Sequence, residues 1–408
     1  MSYVNGFQCF ECARTFSLGE IEYVCPECGG NLDVLYDYER IGQKFSKALL
    51  AADSNFTMWR YRPLLPIADS SPVPPLSVGW TPLYDAPGLA AEFSVRQLLV
   101  KDDGRNPTAS FKDRPSALAV VKAQEVGATV ATTASSGNAG AALAGMCASV
   151  GLKSVIFVPA TTPAAKVAQL QIYGATVALI EGSYEQACEL CLAASARFGW
   201  YQRTTGYNAF TAEGKKTAAL EIAEQLNWQV PDRVIVGVGD GNIIGGLWKG
   251  FYDLQQLGWI DRIPKLTGVQ AAGAAPLVAA VNGDGVIRPV VGQTIADGIN
   301  VGDPRDGTRA LRAMHDSGGG AVAVSDEEII AAIPRLARAT GVFAEPGAAA
   351  AFAGFIKLRE SGVIQSDERV ALVVTGSGLK DINTARRSVG EPLRIQPDFA
   401  ELNQLAGV

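Results

Sequence analysis

The chain has 408 residues, of which 48% are hydrophobic and 19% are charged, with 44 glycines and a formal net charge of −6. This length allows two or three domains with a large buried core, and the many glycines favour a soluble α/β enzyme over a helical or fibrous protein. The acidic balance argues against nucleic acid as the main partner.

The sequence also predicts where the protein works. Its first residues, MSYVNG, lack a charged segment followed by an apolar one, so no secretory signal is expected. The most apolar window, 344–356, contains a proline and is too short to span a bilayer. Seven cysteines, an odd number, indicate a reducing compartment. We therefore expect a cytoplasmic protein without a membrane partner.

Two cysteine pairs lie near the start of the chain. Cys9, Cys12, Cys25 and Cys28 form a C-x2-C-x12-C-x2-C array, in which four thiolates can complete a tetrahedral shell around zinc. Redox pairs or an eroded site are the alternatives. Because four cysteines would close the shell, the array predicts a structural zinc rather than a catalytic one. We expect residues 1–33 to form a small zinc-ribbon-like knuckle.

From residue 97 onward, β-branched or leucine-rich runs alternate with helical segments. The predicted strands are 97–101, 129–133, 154–158, 176–180, 233–238, 265–270 and 369–375. The predicted helices are one that begins at residue 113, then 138–150, 163–173, 184–198, 213–226, 243–257, 327–340 and 348–358. This alternation predicts an α/β fold with open parallel sheets and helices on both faces. Ligands in such folds bind at the carboxyl ends of the strands.

The first unusual turn at such an end is 106–114, with the sequence NPTASFKDR. Its turn and cap residues predict that a helix begins directly after Lys112. The positive end of that helix would disfavour the ammonium, so the pKa of Lys112 should be lowered. A lysine with a lowered pKa can form a Schiff base, whereas the alternative is a solvated lysine in a first helical turn.

Three further turns carry polar or glycine-rich sequences. In 134–140, free N–H groups at a helix start could hold a carboxylate, although a simple helix cap is the alternative. The glycines of 236–246 predict a phosphate cradle, because they let several backbone N–H groups approach one anion. Dinucleotide binding is the alternative, although the glycine spacing does not fit its fingerprint. Thr375 could meet a ring nitrogen or simply cap its turn. Together these turns provide the contacts that pyridoxal phosphate requires.

The order of these motifs resembles the threonine synthase family over about residues 78–385. The resemblance implies a pyridoxal phosphate enzyme with the tryptophan-synthase-β-like fold, in which two open twisted sheets have helices on both faces. We expect a large cofactor domain from 34–113 together with 162–395, and a smaller mobile domain from 114–161. A homodimer acting on a small amino-acid substrate is also implied.

The resemblance assigns roles to individual residues. Lys112 would form the Schiff base and move protons, Asn138 would bind the cofactor's 3′ oxygen, and Thr375 would face its pyridine nitrogen. The implied cofactor-binding residues are Phe111, Lys112, Asn138, Gly237, Val238, Gly239, Asp240, Gly241, Asn242 and Thr375. The implied substrate-binding residues are Ser135, Ser136, Ala139, Thr211 and Lys215.

One position departs from the family pattern. Thr211 stands where members generally have an arginine that helps to bind the phosphate of O-phosphohomoserine, and a hydroxyl cannot replace a bidentate guanidinium. Either Lys215 or another cation compensates, or the substrate is not phosphorylated. The resemblance implies a lyase of threonine biosynthesis that converts O-phospho-L-homoserine and water to L-threonine and phosphate. The alternative is β-elimination or β-replacement on serine, threonine or O-phosphoserine, as in dehydratases or cysteate synthase.

Overall fold

The computed structural model describes residues 3–397, 399 and 402. The strands are β1 (Val4–Cys9), β2 (Thr15–Phe16), β3 (Leu32–Tyr36), β4 (Leu83–Asp85), β5 (Gln97–Asp102), β6 (Val130–Ala134), β7 (Lys153–Pro159), β8 (Thr176–Ile180), β9 (Tyr201–Gln202), β10 (Arg233–Gly237), β11 (Lys265–Ala271), β12 (Gly320–Val324) and β13 (Arg369–Val374). The helices are α1 (Tyr38–Lys44), α2 (Lys47–Ala52), α3 (Pro87–Glu92), α4 (Asp113–Glu125), α5 (Asn138–Val150), α6 (Ala164–Ile172), α7 (Tyr184–Phe198), α8 (Phe210–Lys215), α9 (Thr217–Gln225), α10 (Asn242–Gln256), α11 (Pro276–Val281), α12 (Gly307–Asp316), α13 (Asp326–Thr340), α14 (Pro346–Glu360) and α15 (Ile382–Arg387).

The larger sheet has the strand order β12-β11-β10-β13-β5-β4. Its strands run parallel from β12 to β5, and only the edge strand β4 is antiparallel. β10 and β13 are almost wholly buried apolar runs, as expected for central strands covered on both faces. The parallel order brings the loops after β5, β13 and β10 side by side at one edge.

A second, smaller sheet has the strand order β8-β7-β6-β9 and is parallel throughout. Helices α5 and α7 pack against it. Its strands come from the stretch 130–202, so this sheet continues beyond 114–161, the range expected for the smaller domain. The domain boundaries themselves stay a prediction.

The N-terminal segment forms an antiparallel sheet of its own, in the order β2-β1-β3. Cys9 is the last residue of β1, Cys12 follows it, and Cys25 and Cys28 lie between β2 and β3, and the four side chains cluster together. The predicted α/β class, with two helix-flanked sheets and an N-terminal cysteine knuckle, is therefore confirmed. Among the described residues, no helix is long and apolar enough to cross a membrane.

Candidate active site

Lys112 lies at the carboxyl edge of the larger sheet, directly before α4. The loop that carries it pairs with the loop after β13, because the N–H of Phe111 donates to the carbonyl of Thr375 at 2.8 Å. A β-bridge between Ser110 and Gly376 adds a second connection. Phe111 is fully buried, so its ring anchors the residue next to the lysine. The backbone thus fixes the point from which the amine projects.

The environment of Lys112 disfavours its charged form. Burial lowers the pKa of its ammonium, and the neighbouring guanidinium of Arg203 lowers it further, while Asp240 and Glu345 act in the opposite direction. The direction of this shift was predicted, but burial is the leading cause rather than the start of α4. A neutral amine is the form that attacks an aldehyde, so the position suits a Schiff-base lysine.

The smaller sheet contributes the loop after β6, which leads into α5. Ser135 and Ser136 lie in this loop with their side chains partly exposed. The hydroxyl of Ser135 accepts a hydrogen bond from the N–H of Gly137 at 3.3 Å, and no side chain caps the first turn of α5. Ala139, in that first turn, is also partly exposed. An uncapped helix start of this kind can bind a carboxylate through its free N–H groups.

Asn138, the first residue of α5, faces a carboxylate. Its amide nitrogen lies 2.8 Å and 3.1 Å from the two side-chain oxygens of Glu345. Burial raises the pKa of Glu345, an effect that the hydrogen bond from Asn138 opposes. Glu345 was not among the predicted site residues, and its sequence signal is only its position before Pro346 at the start of α14. The predicted bond from Asn138 to a cofactor oxygen stays a prediction.

The loop after β10 has the form of an anion cradle. Val238 is held by its N–H, which donates to the carbonyl of Val269 at 2.7 Å. A Cβ on Gly237 would lie 2.2 Å from the carbonyl oxygen of Gly347, so no larger residue fits there. Gly241 has a φ of 93° and precedes α10, whose first turn has no side-chain cap. The close approach and free N–H groups match what a phosphate needs.

Charged side chains gather beside this cradle. Lys215 is fully buried and donates to the side-chain oxygen of Asn242, whose amide in turn donates to Asp306. Burial, followed by the charges of Lys112 and Arg203, lowers the pKa of Lys215 well below its usual value. Asp240, next to Gly239 in the loop, partly offsets all three cations. The site is therefore rich in buried positive groups.

The two predicted threonines differ in what their hydroxyls do. Thr211 is fully buried, and its hydroxyl donates to the carbonyl of Asn208 at 2.8 Å. Its proton is therefore already donated to a backbone carbonyl that precedes its helix. The partly exposed Thr375, by contrast, has no hydrogen bond to its hydroxyl within the part of the chain that the structure describes. Thr375 can meet a ring nitrogen, and this role stays a prediction.

The four N-terminal cysteines converge on one point. Their sulfurs all lie within 4.8 Å of one another, with Cys9 to Cys28 at 3.5 Å and Cys12 to Cys25 at 3.7 Å. Zinc–sulfur bonds of about 2.3 Å in a tetrahedron place sulfurs roughly 3.8 Å apart. In each pair, the residue directly after the second cysteine donates its N–H to the carbonyl of the first cysteine: Ala13 to Cys9 at 3.1 Å and Gly29 to Cys25 at 2.8 Å. The sulfurs fit a closed zinc shell.

This arrangement agrees with comparisons to known proteins. The model of the family described as pyridoxal-phosphate dependent enzyme matches residues 75–376. The chain therefore belongs to this family. The residues present fit its cofactor: Lys112 supplies an amine directly before α4, and the start of α10 after the glycine loop has no side-chain cap, so its N–H groups can hold a phosphate.

Two curated relatives identify the enzyme type within this family. The threonine synthase of Methanocaldococcus jannaschii is 42% identical over 401 residues, which cover 98% of either chain. The threonine synthase of Methanosarcina acetivorans is 40% identical, with 97% of either chain covered. Within the pyridoxal phosphate enzymes, the chain thus belongs with the threonine synthases, and the predicted resemblance is confirmed.

Solved structures show the same fold at lower identity. A processed threonine deaminase from Solanum lycopersicum aligns with a TM-score of 0.66 at 23% identity, covering 76% of this chain and 88% of that one. Diaminopropionate ammonia lyase from Escherichia coli aligns with a TM-score of 0.66 at 18% identity, covering 83% and 93%. At these identities the likeness concerns the fold alone.

Proposed function

We propose that the protein converts O-phospho-L-homoserine and water to L-threonine and phosphate. The observation that carries the proposal is the meeting of three groups: the amine of Lys112 and the glycine cradle before α10 at the edge of the larger sheet, and the uncapped start of α5 at the edge of the smaller sheet. The near full-length similarity to two threonine synthases supports the same reaction.

Different residues of the chain would transfer the proton and bind the substrate carboxylate. Pyridoxal phosphate, held by Lys112 and the cradle, would supply an electron sink for the reaction. Lys112, with its lowered pKa, takes up a proton from the substrate carbon and can return it at another carbon. The start of α5, with Ser135 and Ser136, holds the substrate carboxylate through backbone N–H groups.

Loss of phosphate from the γ carbon requires a positive group near the leaving oxygen. Lys215 lies fully buried next to the cradle and within electrostatic range of Lys112. Water then adds at the β carbon, so the atoms of the substrate and one water are conserved in threonine and phosphate. We infer that a buried cation stabilises the departing dianion, which a neutral Thr211 does not.

A second reaction class has one observation in its favour. The hydroxyl proton of Thr211 is committed to the carbonyl of Asn208, so this residue has no donor left for a phosphate. A substrate without a γ-phosphate would not need one. β-Elimination or β-replacement on serine, threonine or O-phosphoserine is therefore the alternative.

The test is turnover of purified holoenzyme with O-phosphohomoserine, run beside O-phosphoserine, serine and threonine. Threonine with stoichiometric phosphate is the expected result. Lys112→Ala serves as the control and should lower turnover roughly 10²–10⁴-fold, because the proton carrier is lost. If phosphate is not released from O-phosphohomoserine but another substrate reacts, the alternative replaces the proposal. Full activity in Lys112→Ala would refute the role of the lysine.

We further propose that the knuckle binds structural zinc and that the protein is a cytoplasmic homodimer. The clustering of four thiols supports the zinc, since structural sites of this type use four cysteines. The odd cysteine number supports a reducing compartment. Metal analysis of the purified protein and light scattering test the zinc and the dimer.

A further inference from the structure

Arg203 is a buried arginine that sequence analysis did not place in the site. It follows β9 directly, its N–H donates to the carbonyl of Thr132 at 2.9 Å, and its side chain is fully buried. The guanidinium donates from Nε to the hydroxyl of Ser116 at 3.1 Å and from Nη1 to that of Thr205 at 2.9 Å. Nη2 has no hydrogen-bond partner among the described residues. A buried donor is thus left free.

The charges around Arg203 do not balance. Within the described part of the chain, no carboxylate contacts the guanidinium directly. Burial lowers its pKa to about 10, against the opposing charges of Asp240, Tyr184 and Asp113. Lys112 and Lys215 depend on the same Asp240. Asp306, which also faces Lys215, already pairs with Arg309. An anionic ligand would supply the missing negative charge.

The position of Arg203 indicates which anion this is. β9 and β6 are neighbouring parallel strands, so Arg203 lies at the same edge of the smaller sheet as the loop of Ser135 and Ser136. That loop is the proposed seat of the substrate. The cradle of 237–242 belongs instead to the larger sheet, where its backbone N–H groups would hold the cofactor phosphate. Arg203 therefore lies on the substrate side of the cleft.

We propose that Arg203 binds the phosphate group of the substrate and takes the place of the arginine that Thr211 replaces. The assignment rests on the proposed function, because it requires a phosphorylated substrate. The hydroxyls of Ser116 and Thr205 orient the guanidinium without neutralising it, so no ion pair has to break when the phosphate binds.

The proposal is tested on holoenzyme with Arg203→Gln and Arg203→Lys. Steady-state kinetics with O-phosphohomoserine should show kcat/KM lowered roughly 30- to 100-fold in Arg203→Gln, mainly through KM, because charged hydrogen bonds to the phosphate are lost. Inorganic phosphate should raise the Tm of the wild type and leave that of Arg203→Gln unchanged. Arg203→Lys should fall between them, and it tests the role independently if Arg203→Gln does not fold. Arg197→Gln, which removes an exposed arginine of α7, should behave as wild type.

Two results would overturn the assignment. If Arg203→Gln keeps its KM and its response to inorganic phosphate, the arginine is only structural. If the variant loses the absorbance of bound pyridoxal phosphate, and added cofactor restores normal KM, then Arg203 holds the cofactor phosphate instead. Failure of the proposed function has another signature: wild type inactive on O-phosphohomoserine. In that case, a phosphate-induced rise in Tm that depends on Arg203 still establishes the anion site, and its absence refutes it.

Discussion

Arg114 and Arg203 are both fully buried arginines, but their surroundings are opposite. Arg114 donates from Nε to Asp103 at 2.6 Å and from Nη2 to Glu221 at 2.8 Å, and Glu221 also pairs with Lys101 at 2.7 Å. In the residues that the structure describes, the Arg203 guanidinium donates to two hydroxyls, and its Nη2 has no hydrogen-bond partner. We call the first group the paired cluster and the surroundings of Arg203 the unpaired cluster.

The difference separates structural charges from functional ones. Burial alone would lower the pKa of Arg114, but Asp103 and Glu221 raise it above its ordinary value. At Arg203, burial prevails and the pKa falls. A buried charge without a partner destabilises the fold unless a ligand of opposite charge binds to it. The paired cluster therefore holds α4 and Lys112 in place, whereas the unpaired cluster is suited to receive an anion.

Arg114→Gln should have the largest effect on stability. Removing one member leaves Asp103 and Glu221 with too little positive charge, which costs about 3–5 kcal/mol of unfolding free energy. Urea denaturation followed by far-UV circular dichroism measures it. Arg203→Gln is the matched control and should change stability by about 1 kcal/mol or less, because it removes a charge that has no partner. Equal losses in both variants would abolish the distinction between the clusters.

The paired cluster should also set the response to acid. Although burial raises it, the charges of Arg114 and Lys101 lower the pKa of Glu221 from 4.5 to about 2. Because the folded value is the lower one, this stabilisation is present above pH 4.5 and disappears as the pH falls towards 2. Between these limits we expect the wild type to lose about 2–3 kcal/mol more than Glu221→Gln. Parallel stability curves for the two proteins would contradict the prediction.

The smallest effect concerns the contact between the N-terminal segment and Asp306, beside the cradle. The amide of Asn31 donates to Asp306 at 2.8 Å, and Asp306 accepts from Asn242, the partner of Lys215. Asn31→Ala should lower the free energy of unfolding by about 1 kcal/mol, the usual value of one hydrogen bond. Thermal denaturation measures it, with the exposed Asn5→Ala as control. If Asn31→Ala has the same free energy of unfolding as the wild type, the contact with Asp306 does not contribute to stability.

Much of the site could be predicted from the sequence because its residues lie in short local motifs. Glycine-rich turns between alternating strands and helices predicted the positions of Lys112, the start of α5 and the cradle. Arg203 was missed because β9 has only two residues and no periodic pattern. The pairing of Asn138 with Glu345 joins residues 207 positions apart, and no local propensity encodes such a contact. The edge strands β4 and β12 were missed as well, since short edge strands carry weak patterns.

The docking of the N-terminal segment has a consequence for synthesis on the ribosome. Tyr23 accepts a hydrogen bond from the N–H of Gln202 and stacks on Tyr207, and the bond from Asn31 to Asp306 spans 275 residues. At translation rates of about 5–20 residues per second, the last of these partners emerges roughly 14 to 55 s after Asn31. The knuckle, whose cysteines all precede residue 29, can close long before then. The side chains of Tyr23 and Asn31 therefore stay exposed to solvent until their partners have been synthesised.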